Sequence, residues 1–98
     1  MEPIQKPELT PLDKGSSLKT LQVTALTGWS MPPHHTTKEA VIVVQEGEAL
    51  LKMPNVDHRL KQGAVFIIPA GVEHSLEIIQ DFKAIAIMAT DSEINFKQ

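Results

Sequence analysis

Four histidines hold most of the chemistry open to this chain: His34, His35, His58 and His74. Imidazole changes charge near neutral pH and is the commonest nitrogen ligand for metals. His34 and His35 follow Pro32-Pro33, and His74 follows Pro69-Ala70-Gly71. Proline fixes φ and glycine suits tight turns, so the backbone entering each following strand is restricted and can aim an imidazole reproducibly. His58 stands between Asp57 and Arg59 and reads as a solvated side chain in a polar turn. Trp29 and Met31 alternate close to His34, at a spacing that could line a ligand pocket, although such residues are more often core or interface. Glu73, beside His74, has the chemistry of an acid or base, but an exposed turn glutamate is the plainer reading.

Other chemistries lack their residues. The chain has no cysteine, which excludes disulfides, thiolate metal sites and cysteine nucleophiles. Gly28-Trp29-Ser30 begins like a nucleophile elbow, but Pro32 replaces the second glycine and no helix follows. No glycine-rich phosphate loop is present. Net charge is −3 over 98 residues and the nine basic residues form no run, so neither nucleic acid nor an anionic membrane surface is expected as partner.

The elements that must position the histidines read as short strands. Leu21, Val23 and Ala25 alternate with Thr20, Gln22 and Thr24, the period of a strand with one buried face. Ala40 to Val44 and Ala64 to Ile68 are continuous apolar runs, as in doubly covered strands. Glu46-Gly47-Glu48 reads as a turn leading to a second strand, Ala49 to Met53, paired back as a hairpin. His74, Leu76 and Ile78 alternate with their neighbours, and Gln80-Asp81 divides that strand from the last, Phe82 to Thr90. Phe66, Ile68, Ile85 and Ile87 read as core, and Met53 and Met88 as gap fillers. Residues 1–17 contain Pro3, Pro7, Pro11 and Gly15 and read as an arm with at most a short edge strand; residues 18–98 read as one barrel domain. Strands of this length with Gly and Pro turns indicate an all-β sandwich or barrel.

Two stretches sharpen this reading. Gly28, five residues, His34 and the closing Gly47 resemble the first motif of the cupin family. Gly63, five residues, Pro69, one residue, Gly71, two residues and His74 resemble its second motif through the histidine, while Ile78 stands where an asparagine is usual. The resemblance implies a cupin-type double-stranded β-helix, a jelly-roll barrel with His34 and His74 facing its cavity. A metal-binding cupin would have histidines at positions 34 and 36 and a glutamate at 40; here Thr36 and Ala40 occupy two of these. A third ligand to a divalent transition metal (zinc, iron, manganese or nickel) would have to be His35 or Glu39. Each is one position off, and alternation turns it outward unless a bulge intervenes.

The incomplete ligand set favours a metal-free module that binds a small polar molecule through His34, Thr36 and His74, with Trp29 and Met31 as further candidates. The alternative is a metal-dependent cupin enzyme of dioxygenase, isomerase or decarboxylase type, its ion held at His34 and His74. Val41 and Val43 face away from Ile42 and Val44, so both faces of that strand are apolar and a homodimer is expected to cover the outer one. The first residues show no apolar run of secretory type, and the cytoplasm is the default compartment.

Overall fold

The computed structural model describes residues 7–96. Within it the chain forms eight strands: β1 (Glu8–Lys14), β2 (Leu18–Ala25), β3 (Ser30–Thr36), β4 (Ala40–Lys52), β5 (Asp57–Lys61), β6 (Val65–Ile68), β7 (His74–Ala89) and β8 (Ile94–Phe96). Every pairing is antiparallel. The all-β jelly-roll expectation holds: the sheet curls into a double-stranded β-helix. No helix among the described residues is long and apolar enough to cross a membrane.

Two long strands build both layers. The first half of β4 pairs with β6 and with the second half of β7, beyond which lie β2 and β1. The second half of β4 pairs with β5 and with the first half of β7, beyond which lie β3 and β8. One layer therefore runs β1-β2-β7-β4-β6 and the other β8-β3-β7-β4-β5. Their inner faces meet in one core that includes Val23, Ile42, Val44, Ala49, Leu51, Leu76 and Ala84.

The corner between layers departs from the sequence reading. Glu46-Gly47-Glu48 is not a hairpin turn, and Gln80-Asp81 does not divide two strands. Both segments lie inside continuous strands, at register shifts where β4 and β7 bend together. Gly47 adopts φ +83°, and a Cβ there would run into the backbone carbonyl of Asp81. A glycine at positive φ serves a bulge as readily as a chain reversal. Asp81 in turn accepts hydrogen bonds from Thr27 N (2.9 Å) and Thr27 Oγ1 (2.8 Å), which fasten the β2–β3 loop to the bend. These bonds hold its carboxyl below the usual aspartate value.

The segment read as an arm supplies β1, paired to β2 from Glu8↔Thr24 to Lys14↔Lys19; residues 1–6 lie outside the described residues. The core reading needs correction on the outer faces. Ile68 is buried and Phe66 packs half-buried against the core, but Ile85 and Ile87 are half-buried on the outer face. Val65 and Ile67 are 66% and 57% exposed. Together with Val41 and Val43 they form two aliphatic rows on the outer face of the first layer, Ile87–Val41–Ile67 and Ile85–Val43–Val65.

Candidate functional site

His34 and His74 are direct cross-strand partners on β3 and β7. Each starts from the constrained backbone that its sequence supplies. Pro32-Pro33 lies inside β3 at a register shift, and Gly71, at the turn before β7, donates its N–H to Thr36 O at 2.8 Å, tying the two histidine strands together. Met31, His34 and Thr36 are buried in β3, with exposed Pro32-Pro33 between the first two and half-buried His35 between the last two. The two imidazoles meet edge to face, ring centroids 4.2 Å apart at 63°.

Each ring is held in the same way. His34 Nδ1 donates to Pro32 O and His74 Nδ1 to Val72 O, both at 2.9 Å. A carbonyl can only accept, so the proton sits on Nδ1 and Nε2 keeps its lone pair. Among the described residues no protein group bonds either Nε2, and neither atom is enclosed without a partner. Both therefore open onto space. Burial pushes both imidazoles below the ordinary histidine value, against the opposing backbone bonds; His35 and, for His34, the facing His74 lower them further. The pair is neutral at neutral pH.

The space is a cavity of about 50 Å3 between the layers. Its walls are aliphatic and thioether groups, among them Leu21, Met31, Ile42, Leu76 and Met88. Thr36 is the third polar side chain, and its hydroxyl donates to Lys38 O at 2.7 Å. Among the described residues no charged side chain lines it.

Of the residues singled out from sequence, His34, Thr36, His74 and Met31 come together here. Trp29 does not: it lies in a separate open groove with Glu46, Asp81 and Phe82, although it also packs against the core. His35 pairs with Asn95 on β8, and Glu39 is exposed in the loop before β4. His58 lies within strand β5 rather than a turn, its ring 4.6 Å from that of Phe66. Two contributors went unread in the sequence, and a third, Met88, was read only as a gap filler. Met88 faces the cavity as the cross-strand partner of Ala40, Ile94 of β8 lines it, and the Phe96 ring lies 5.1 Å from His34. Alternation from Ala84 through Ala86 to Met88 was the available signal for the first; β8 is too short and polar to announce itself.

A divalent ion of the kind the fold family implies does not fit these residues. Ala40 has no donor atom, the Thr36 proton is committed to a carbonyl, and among the described residues no three His, Cys, Asp or Glu side chains group as a metal site. Two neutral imidazoles in an apolar wall leave a dication without carboxylate or third nitrogen.

Comparison with solved structures supports the fold. The chain is similar to a protein with a double-stranded β-helix domain from Klebsiella pneumoniae, at 17% identity and TM-score 0.80 over 99% of this chain and 90% of that one. It is also similar to the DMSP lyase DddQ from Ruegeria pomeroyi (22% identity, TM-score 0.79, 88% of this chain and 48% of that one). KdgF from Halomonas sp. is similar at 19% identity and TM-score 0.75, over 85% of this chain and 77% of that one. No curated protein matches the sequence significantly. The cupin domain model matches residues 21–90, a span that includes both histidine motifs and the strands that bring them face to face, and the chain belongs to the cupin family.

Proposed function

We propose that this cupin is a binding module that takes a small polar molecule into the barrel cavity at His34, Thr36 and His74. The supporting observation is the pair of unprotonated Nε2 atoms opening onto a single apolar space. A molecule placed there leaves water on its apolar side and gains hydrogen bonds at the imidazoles, the usual division of labour in small-molecule sites. The enzymatic alternative, with a metal at His34 and His74 and His35 or Glu39 as third ligand, has less support. That ligand set is not assembled, and relatives at about one-fifth identity speak for the fold alone.

His34→Phe and His74→Phe keep ring volume and remove the nitrogens. Native mass spectrometry of the protein as purified, without a histidine tag, should show a small molecule that both variants lose. A species retained in both variants places binding elsewhere. A stoichiometric transition metal that both variants lose favours the enzyme.

The same proposal includes a second copy of the chain, in the cytoplasm, covering the aliphatic rows of the first layer. Face-to-face sheet packing would bury Val65 and Ile67, the most exposed members of those rows. Light scattering at micromolar concentration should give twice the chain mass of 10.8 kDa.

A further inference from the structure

We infer that the cavity takes an uncharged molecule bearing two adjacent hydrogen-bond donors, of the vicinal-diol type, and turns away carboxylates and other anions. This rests on the binding-module reading and adds the chemical class of the ligand.

The argument is a donor count. Three polar side chains face the cavity, and each has already given away its proton. His34 Nδ1–H goes to Pro32 O, His74 Nδ1–H to Val72 O and Thr36 Oγ1–H to Lys38 O. What remains toward the cavity is acceptor: two Nε2 lone pairs and those of the Thr36 oxygen. The thioethers of Met31 and Met88 are weak acceptors as well. An anion would meet only lone pairs, in a space where no Lys or Arg of the described residues compensates it. An ammonium would find acceptors but no carboxylate, and a buried unpaired charge is the costlier choice. An uncharged donor remains.

The number of donors follows from the pair. The imidazoles meet edge to face, 4.2 Å between centroids, and neither Nε2 is enclosed without a partner. A ligand with one hydroxyl would displace water from both acceptors and satisfy one. Two hydroxyls on neighbouring carbons satisfy both, while a carbon body of a few atoms rests on Met31, Leu76 and Met88. The small cavity keeps that body short.

The test uses three probes that share a three-carbon skeleton: 1,2-propanediol, 1-propanol and propionate. Each is titrated into the full chain at neutral pH while the imidazole 15N resonances of His34 and His74 are followed. The diol should shift both Nε2 signals and bind about tenfold more tightly than the alcohol, the worth of one further hydrogen bond. Propionate should shift neither. His34→Phe and His74→Phe should each reduce the diol to the affinity of the alcohol, with unchanged far-UV circular dichroism. Propionate binding as well as the diol, lost in those variants, would overturn the donor rule and leave the binding module standing. Equal affinity for diol and alcohol would overturn the two-donor requirement. No response to any probe would overturn both readings.

Discussion

The two layers share β4 and β7, yet their outer faces are different surfaces. On the first layer Ile87, Val41 and Ile67 stand in one row across three strands, with Ile85, Val43 and Val65 in the next. On the second layer two charged pairs share the outer face with Leu50 and Ile79: Lys52 Nζ lies 2.9 Å from Glu77, and Arg59 Nε 2.8 Å from Glu48. The first half of β4 is thus apolar on both sides, and the second half on one. An apolar run in a strand says that two faces avoid water; it does not say which of them the chain itself covers. The charged layer is complete as it stands, whereas fully burying an exposed Val or Ile is worth about 1.5–3 kcal/mol that the single chain does not collect from Val65 and Ile67.

The contrast can be broken first at the corner that creates it. Gly47→Ala adds a Cβ against the Asp81 carbonyl at positive φ. It should lower stability by about 3 kcal/mol or more in urea titration, because the obstacle is backbone that two ladders hold in place. A loss under about 1 kcal/mol would mean that the bend does not depend on this close approach.

Next come the faces themselves. The double variant Val65→Lys, Ile67→Lys should weaken self-association at least about 100-fold, roughly 2.7 kcal/mol, as sedimentation would report. Leu50→Lys, set between Arg59 and Glu77 on the charged layer, should leave the assembly unchanged. If both proteins keep the mass of the parent, the aliphatic face is not the contact.

The inner faces also differ, since only the second layer contributes histidines to the cavity. Burial lowers both imidazoles in the folded chain from the ordinary value of 6.5. The unfolded chain therefore takes up protons first as pH falls. The stability linked to this pair is fully present above about pH 6.5 and is lost progressively below it, toward the lowered folded values. Urea midpoints across that window should fall in the parent and flatten in a His34→Phe, His74→Phe double variant; equal slopes would show that other groups govern the acid limb. The smallest expected effect belongs to the charged face. Arg59→Ala removes an exposed pairing and should cost less than about 1 kcal/mol.

Much of this was legible in the sequence. Alternation in Leu21–Ala25 and from His74 to Ile78 set inner and outer faces correctly. The Pro69-Ala70-Gly71 turn ahead of His74 marked the second histidine of the pair. What misled was turn chemistry: Gly47 and Gln80-Asp81 have the residues of a chain reversal, but here they form opposed bulges, and a single sequence does not distinguish the two. Trp29 was drawn to the cavity by its nearness to His34. Met31 reaches the cavity within β3, whereas Trp29 precedes the strand in the β2–β3 loop and faces the separate groove. The choice of tautomer, on which the donor count depends, had no sequence signal, because carbonyls at Pro32 and Val72 show their direction only once folded.

One feature of the topology governs how anything reaches the histidines. β4 and β7 pass through both layers without a break, so the barrel cannot part along its seam unless two long ladders fail together. β8 is the opposite case: three residues, joined only to β3, that place Ile94 on the cavity wall and Phe96 over His34. A strand of three residues paired to a single neighbour has few bonds to lose, and local openings of low free energy concentrate in such segments.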